Sequence, residues 1–350
     1  MISLVLTSVN HLELQERPVP KAEGDVVVIK IAYAGICGTD LHAVKGEYAK
    51  TQFPIVLGHE LSGVVVDVGC DVKRIKVGER VTCETAYSTC NHCIYCKTKD
   101  YNLCSSREGI GTSKDGAYAQ YLAIPECRVH LLPHNVDYLS GALTEPLACG
   151  VHAVIEKADI QKGEVMCVFG VGAIGLMVAQ VGIAVGAKVI ITGLASDRHQ
   201  LELAEQFGAI AVDQSRESLD AAILKMTDGN GVNAAFECSG SLKALEKAFD
   251  IVQKKGRIIQ MGVFQEPENK IPTDKLLHRE IALIGSRSQK PSSWVTALKL
   301  MSEGVVQPEK IVKNILPLTD WKEAFAQANG ARVVFCCNGE VGDDFGAADE

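Results

Sequence analysis

Apolar residues over the first 150 positions form short runs of the kind found in β-strands. Three such runs, 26–32, 61–68 and 117–124, are rich in valine and isoleucine or alternate between apolar and polar positions. Frequent glycines interrupt the pattern and favour turns between the runs. The pattern therefore predicts a β-dominated, loop-rich unit with few long helices.

Strand-like and helix-like runs alternate after residue 163. A short apolar run ends in glycine, and the residues that follow it have the apolar spacing of a helix. Repeated alternation of this kind predicts a parallel sheet with helices on both faces. The predicted strands are 165–169, 188–192, 210–212, 233–237, 257–261 and 281–284, and the predicted helices are 173–185, 198–207, 217–226, 244–253, 294–303 and 321–327.

The last part of the chain departs from this pattern. The strand-like run 332–338 ends in the adjacent cysteines Cys336 and Cys337, for which we expect free thiols because adjacent cysteines rarely bridge without strain. The acidic tail, 339–350, has little apolar content, and we expect it to be mobile.

Length and composition narrow the class of protein. A chain of 350 residues with 47% hydrophobic and 22% charged residues suits two ordinary globular domains. The net charge of −8 disfavours nucleic acid as a partner, and no apolar stretch is long enough to span a membrane. The N-terminal residues do not resemble a signal peptide, and thirteen cysteines fit a reducing compartment. We therefore expect a cytoplasmic protein.

Four cysteines lie close together, with the spacing C-x2-C-x2-C-x7-C: Cys90, Cys93, Cys96 and Cys104. Four thiolates on one short loop can surround a tetrahedral zinc ion, as in closed structural sites. An iron–sulfur cluster also takes four cysteinates, and the spacing does not exclude it. Disulfides fit less well with a reducing compartment. Zinc is the interpretation we favour.

A glycine-rich turn follows the predicted strand 165–169 and opens the next helix. Gly170, Gly172 and Gly175, with Ala173 and Ile174 between the last two, match the pattern G-x-G-x-x-G. In this context the glycines allow a tight turn, a close approach of a pyrophosphate and close packing of helix on strand. The helix N-terminus supplies free N–H groups for phosphate. The turn therefore predicts a dinucleotide site.

The choice between NAD and NADP stays open. An acidic residue that binds the ribose 2′-hydroxyl is expected at the end of the second strand, but Gly193 stands there. Its absence leaves room for a 2′-phosphate, which Arg198 could pair with. Asp197 could instead turn toward the ribose, and Arg198 could simply be a solvated residue at a helix start.

Four scattered residues form a second candidate metal set. Cys37 lies in a glycine-flanked turn, His59 and Glu60 follow Gly58, and Glu145 precedes a proline. Each could be a buried thiol, a loop histidine or a helix-start carboxylate. Together they offer the sulfur, nitrogen and oxygen ligands that catalytic zinc uses while keeping one position open.

The Cys37–Asp40 turn, the Gly58–Glu60 motif, the four-cysteine loop and the glycine-rich turn occur in the same order as in a known family. On these motifs the chain resembles the zinc-dependent medium-chain alcohol dehydrogenases, in the branch of polyol (sorbitol-like) and threonine dehydrogenases. The resemblance covers nearly the whole chain. It implies an α/β fold: a GroES-like β-barrel catalytic domain from residues 1–151 and 287–350, and a Rossmann domain with a doubly wound parallel sheet from residues 152–286.

The resemblance also implies roles for individual residues. Cys37 and His59 match ligands of a catalytic zinc. Glu60 matches a carboxylate that binds this zinc directly or intermittently, and Glu145 matches one that reaches it directly or through water. Thr39 matches a hydroxyl that hydrogen-bonds the substrate oxygen, and the four-cysteine loop matches a structural zinc site.

The expected reaction is oxidation of a secondary alcohol of a polyol or sugar derivative, a small-molecule substrate, to the ketone with NAD or NADP. His42 matches a histidine that passes the proton to solvent, although a surface histidine without a role is the alternative. An amino alcohol such as L-threonine is a second candidate substrate. A non-catalytic nucleotide-binding member would be expected to lack Cys37 or His59. Family members are often tetramers or dimers, so we expect a homo-oligomer.

Overall fold

Two compact units make up the computed structural model, which describes residues 1–266, 268–328 and 332–339. The first unit contains Met1–Glu145, Lys290–Glu303 and the described residues from Gln307 onward. The second contains Pro146–Gln289 and Gly304–Val306. The division therefore falls a few residues from the domain boundaries predicted at 151/152 and 286/287, which stay a prediction.

Most strands belong to the first unit, and most of the longer helices to the second. The strands are β1 (Ile2–Ser8), β2 (His11–Glu16), β3 (Val26–Gly35), β4 (Ile55–Val56), β5 (Glu60–Val68), β6 (Arg80–Cys83), β7 (Ala86–Ser88), β8 (Glu108–Gly109), β9 (Tyr121–Pro125), β10 (Val129–Leu131), β11 (Val165–Phe169), β12 (Lys188–Gly193), β13 (Ile210–Asp213), β14 (Val232–Glu237), β15 (Val252–Gln260), β16 (Ala282–Gly285), β17 (Val312–Pro317) and β18 (Arg332–Cys336). The α-helices are α1 (Gly38–Val44), α2 (Ile94–Lys97), α3 (Tyr138–Ala142), α4 (Thr144–Val151), α5 (Ala173–Ala184), α6 (Arg198–Gln206), α7 (Leu219–Thr227), α8 (Leu242–Ile251), α9 (Thr273–Arg279), α10 (Pro291–Ser302) and α11 (Trp321–Ala328). A π-helical segment, His152–Lys157, follows α4.

Strand β3 organises the main sheet of the first unit. It pairs with β5 along nearly its whole length, with β9 through its first half and with β18 through its last residues. The strand order is β10-β6-β5-β3-β18-β17, with β9 attached to β3. Because β18 comes from the C-terminal part of the chain, both ends of the chain build this unit. The buried rings of Tyr118 and Phe335 meet edge to face in its core, with centroids 5.0 Å apart.

The second unit contains a six-stranded parallel sheet in the order β13-β12-β11-β14-β15-β16. This is the 3-2-1-4-5-6 order of a doubly wound sheet, as the alternating pattern predicts. Strand β11 is buried at all five positions, which explains its continuous apolar run, since a central parallel strand is covered on both faces. Most of the predicted strands and helices of this unit lie within a few residues of the observed ones. The exceptions are β15, which begins at Val252 inside the predicted helix 244–253, and α9, which was not predicted.

Two parts of the first 157 residues differ from the expected strands and loops. Residues 138–157 are almost continuously helical, and their buried faces lie all around the helix, so no apolar stripe marks them in the sequence. The strand predicted at 117–124 begins only at Tyr121. Ala117 and Tyr118 instead donate backbone hydrogen bonds to Gly58 and Leu57.

No helix in the described part of the chain combines the length and apolar composition needed to cross a membrane. The predicted acidic tail lies outside the described residues except for Gly339, whereas Cys336 and Cys337 are buried and do not form a disulfide.

Candidate active site and metal sites

Cys37 lies at the junction of β3 and α1. It is the N-terminal capping residue of α1 and has an extended backbone, with φ −97° and ψ 153°. Its backbone N–H donates to Asp40 Oδ2 at 3.0 Å, which fixes the first turn of the helix. The end of a buried strand and a short capped helix thus hold the Cys37 thiol in place.

Cys37, His59 and Glu60 converge on one point. One ligand atom from each, the Cys37 sulfur, a His59 ring nitrogen and a Glu60 carboxylate oxygen, lies within 4.8 Å of the other two. His59 and Glu60 are buried, and Cys37 is half-buried. A thiolate, an imidazole and a carboxylate in this arrangement fit zinc, which accepts all three ligand types in tetrahedral sites.

The turn before His59 requires a glycine. Gly58 has φ +90°, in the left-handed region, and a Cβ atom there would lie 2.6 Å from Tyr118 Cε1. Strand β5 begins two residues later at Glu60. The close approach of Gly58 to the Tyr118 ring therefore helps to set the positions of His59 and Glu60.

Asp40 orients the histidine and received no role from the sequence alone. It is 1% exposed, and its Oδ1 lies 3.5 Å from His59 Nδ1. The Tyr118 hydroxyl donates to Oδ2 at 2.7 Å, and the Gly58 N–H donates to Oδ1 at 3.3 Å. Because Nδ1 faces this carboxylate, Nε2 is the nitrogen left for a metal. The sequence feature that could have indicated this role is the acidic residue in the first turn of the helix after Cys37.

The mutual attraction of Asp40 and His59 shifts the pKa values of both side chains. Burial alone would raise the pKa of Asp40, but the charge of His59 and the hydrogen bonds that the carboxylate accepts hold it below its ordinary value. Burial would lower the pKa of His59, but Asp40 and then Cys37 raise it well above its ordinary value. The negative charge of Asp40 therefore favours positive charge at His59.

A second partner missed in the sequence is Arg332, the first residue of β18. Its guanidinium forms an ion pair with Glu60, and both side chains are buried. It also donates to the carbonyl of Ile36 at 2.9 Å, and burial lowers the pKa of Arg332 to about 10 although the charges of Cys37 and Asp40 raise it. A Cβ atom on Gly35 would lie 2.6 Å from Arg332 Nη2, so glycine at 35 makes room for the pair.

Thr39 and His42 lie three residues apart on α1 and therefore share one side of the helix. Thr39 Oγ1 is 3.6 Å from Cys37 Sγ, which places the hydroxyl next to the candidate metal. His42 is 58% exposed, and its Nδ1 lies 2.6 Å from Glu47 Oε2, a partner that the sequence did not indicate. The helix thus carries a hydroxyl at the site and an imidazole at the surface.

Glu145 is buried as the second residue of α4. It is not part of the group of described ligand atoms that lie within 4.8 Å of one another. Its role as a zinc ligand, direct or through water, stays a prediction.

The four-cysteine loop also forms a compact group, and its four sulfur atoms lie within 4.8 Å of one another. Cys93 and Cys96 sulfurs are 3.5 Å apart, and the Cys90 sulfur is 3.7 Å from that of Cys104. Backbone N–H groups of His92 and Cys93 lower the pKa of Cys90 to about 6. Four thiolates this close need a cation to offset their repulsion, so the group fits a closed zinc site.

Cys96→Ser is expected to remove the zinc of this loop and to destabilise the protein by about 3–5 kcal/mol, because a structural metal contributes directly to folding. Zinc content and the thermal unfolding midpoint measure both effects. Cys70→Ser, at an exposed cysteine, is the control and should change stability by less than about 0.5 kcal/mol. Iron and a visible absorption band in the purified protein would show that the loop holds a cluster instead.

The glycine-rich turn has the geometry that a pyrophosphate needs. Gly170 has φ +99°, in the left-handed region. The N-terminal capping residue of α5 is Gly172, which has no side chain to cap the first N–H groups of the helix. A Cβ atom on Gly172 would meet nothing within 4 Å, whereas one on Gly175 would strike the Gly170 carbonyl. The backbone at Gly172 is therefore accessible to a ligand, and Ala173 and Ile174 are the first two residues of the helix that follows. These features fit a dinucleotide.

The two remaining predicted cofactor residues lie at the end of β12 and the start of α6. Gly193 is the last residue of β12 and pairs with Asp213 of β13. Arg198, the first residue of α6, is 78% exposed, and its Nε donates to Glu202 at 2.9 Å.

Comparisons with known proteins agree with this architecture. The family model of the alcohol dehydrogenase GroES-like domain matches residues 23–134, and that of the zinc-binding dehydrogenases matches residues 173–303. A D-arabitol-phosphate dehydrogenase of Enterococcus avium is 43% identical over 308 residues, which cover 88% of each chain. The chain belongs to the zinc-dependent medium-chain polyol dehydrogenase family. A sorbitol dehydrogenase of Halalkalibacterium halodurans is 42% identical over 316 residues, covering 90% of this chain and 92% of that one.

A solved crystal structure also superposes well on this chain. Galactitol-1-phosphate dehydrogenase from Escherichia coli matches with a TM-score of 0.87 and 26% identity, over 96% of this chain and 99% of that one. The predicted fold, a GroES-like domain with a Rossmann domain, is confirmed, as are the enzyme class and the need for zinc and NAD(P). The protein is a zinc- and NAD(P)-dependent dehydrogenase that acts on a small-molecule alcohol.

Proposed function

We propose that this dehydrogenase oxidises a secondary alcohol of an acyclic polyol, either free or as its monophosphate, to the ketone. The observation that carries the proposal is the convergence of Cys37, His59 and Glu60 within 4.8 Å, with the Thr39 hydroxyl beside Cys37. The relatives that act on sorbitol, D-arabitol phosphate and galactitol 1-phosphate support this substrate class.

Cys37, His59 and Glu60 would hold the catalytic zinc, with Glu145 as a further direct or water-mediated ligand. Bound zinc supplies a Lewis acid that lowers the pKa of the substrate hydroxyl, and bound NAD(P) accepts the hydride. Asp40 holds the His59 ring so that Nε2 is presented as a ligand. Arg332 offsets the negative charge of Glu60, which would otherwise be buried next to the Cys37 thiolate.

Thr39 and His42 would carry the proton away. The Thr39 hydroxyl accepts a hydrogen bond from the substrate hydroxyl and takes its proton while passing its own proton toward solvent. His42 lies three residues further along α1, and its exposed ring releases the proton to water. Glu47 orients this ring through Nδ1 and leaves Nε2 free to exchange protons.

A substrate panel tests this function. We expect the highest kcat/KM with a polyol or polyol phosphate when polyols, polyol phosphates and amino alcohols are each assayed with NAD and with NADP. An open-chain polyol presents several secondary hydroxyls of the kind that the site activates. If L-threonine were the best substrate, the protein would be an amino-alcohol dehydrogenase. If no alcohol were oxidised although nucleotide bound, it would be a non-catalytic member.

We also propose a cytoplasmic homo-oligomer, a tetramer or a dimer. The structure describes all thirteen cysteines, and none of them forms a disulfide, which fits a reducing compartment. Light scattering coupled to size-exclusion chromatography gives the mass in solution, and a mass near that of one chain would contradict the oligomer.

A further inference from the structure

We propose that Asp197 supplies the ribose-binding carboxylate that β12 lacks at Gly193, and that it makes the enzyme select NAD over NADP. The inference deepens the proposed function, because it assumes that the glycine-rich turn binds the dinucleotide. It concerns the cofactor alone and does not depend on which alcohol is oxidised.

The first observation is the position of the Asp197 side chain. A Cβ atom built on Gly193 would lie 3.1 Å from Asp197 Oδ2 and 3.3 Å from Asp197 Cβ. It would also lie 3.0 Å from Cγ2 of Val171, which is part of the glycine-rich turn. The carboxylate of Asp197 therefore occupies the space between the end of β12 and that turn, where an acid at residue 193 would project.

The second observation is that this position is held by hydrogen bonds. The Leu194 N–H donates to Asp197 Oδ2 at 2.9 Å, and the Ser196 hydroxyl lies 3.3 Å from Oδ1. The Ala195 N–H donates to the Ser215 hydroxyl at 3.1 Å, which ties the same loop to the residues after β13. Each carboxylate oxygen can accept two hydrogen bonds, so Asp197 keeps capacity for the two ribose hydroxyls.

The third observation concerns charge. The two arginines that follow β12 and β13 already face carboxylates: Arg198 bonds to Glu202 at 2.9 Å, and Arg216 lies 3.7 Å from Asp213. Each of these guanidiniums therefore has its own carboxylate partner, and neither partner is Asp197. A 2′-phosphate next to Asp197 would meet like charge, whereas a 2′-hydroxyl would donate a hydrogen bond to it.

Asp197→Asn tests the inference, because asparagine keeps the shape and can still accept the Leu194 N–H bond. Fluorescence titration of the zinc-loaded enzyme with NADH and with NADPH measures binding without turnover. We expect wild type to bind NADH more tightly, and Asp197→Asn to shift the ratio of dissociation constants toward NADPH by at least about tenfold. The unfolding midpoint of the variant shows whether the loop is intact.

Moving the carboxylate back to the strand is the complementary experiment. The backbone of Gly193 is not in the left-handed region, and Asp197→Ala removes the carboxylate that a Gly193→Asp side chain would meet. The new Cβ atom would still lie 3.0 Å from Val171 Cγ2, so the Val171 side chain must shift slightly to admit it. The double variant should recover the preference for NADH that Asp197→Ala alone loses. Arg198→Ala tests the alternative in which Arg198 pairs with a 2′-phosphate, and we expect it to leave the NADH-to-NADPH ratio within about threefold of wild type.

Three results would each overturn the role of Asp197. Wild type could bind NADPH more tightly than NADH, Asp197→Asn could leave the ratio of the two dissociation constants unchanged, or Arg198→Ala could lose NADPH binding. Polyol oxidation by Asp197→Asn with saturating cofactor is measured alongside. If oxidation persists while the ratio does not move, this inference fails and the proposed function stands. If wild type selects NADH but oxidises no polyol, the proposed function fails and the inference stands.

Discussion

Cys37→Ser is expected to lower kcat/KM for the preferred polyol by at least about a thousandfold. A serine hydroxyl is not ionised near neutral pH and is a poorer zinc ligand than a thiolate, so the site loses its metal while the surrounding fold is kept. The glycine-rich turn does not include this residue, and NADH should therefore bind with nearly unchanged affinity. Steady-state kinetics and NADH titration on the same preparation separate the two effects.

The control for this variant is Cys127→Ser, which changes an exposed cysteine outside both candidate metal groups. It should retain full turnover. Turnover of Cys37→Ser near the wild-type value would show that the Cys37, His59 and Glu60 group is not the catalytic metal site.

Arg332→Met is expected to destabilise the protein by about 3–5 kcal/mol, because it leaves the buried Glu60 carboxylate without its cation. Methionine keeps much of the side-chain volume, so the loss reflects charge more than packing. The variant should also be less active, since Arg332 bonds to the carbonyl of Ile36, the neighbour of Cys37. Denaturant unfolding after chelation of the catalytic zinc measures the stability, because that zinc would also offset the charge of Glu60.

Lys299→Met provides the matched comparison. Lys299 pairs with Glu303 at 3.7 Å on an exposed helix face, and breaking such a pair costs less than about 1 kcal/mol. Adding Glu60→Gln to Arg332→Met should recover part of the lost stability, because the unpaired charge is then gone. Equal losses for Arg332→Met and Lys299→Met would contradict the role given to the buried pair.

Local patterns predicted most of the Rossmann sheet. Strands such as β11 and β12 are short apolar runs, and each is followed by a segment whose apolar residues have helical spacing. This alternation along the chain already implies a parallel sheet. The helices at 138–157 were not predicted, because they are buried on several sides and show no amphipathic period.

The candidate site was only partly predictable for a similar reason. Cys37, His59 and the four-cysteine loop occur in short motifs, and the sequence identifies such motifs well. Arg332 pairs with Glu60 only because β18 lies next to β3, and no spacing along the chain encodes that contact. Asp40 was visible in its motif, but its contact with His59 depends on how the Gly58 turn packs against Tyr118.

The same limit applies to the cofactor. The sequence shows that Gly193 replaces an acid, and by that pattern alone NADP would fit as well as NAD. The fold of the loop after β12 brings the Asp197 carboxylate back toward that position. The sequence pattern therefore assigns the acid to residue 193, whereas the structure supplies a carboxylate near that place from Asp197.

Zinc content per chain tests the central claim most directly, that two separate groups hold two metals and only one serves the reaction. Elemental analysis of protein purified under reducing conditions should give two zinc ions per chain in wild type and one in Cys37→Ser, whose remaining zinc resists chelators. One zinc in active wild type, or two in a fully active Cys37→Ser, would contradict the account.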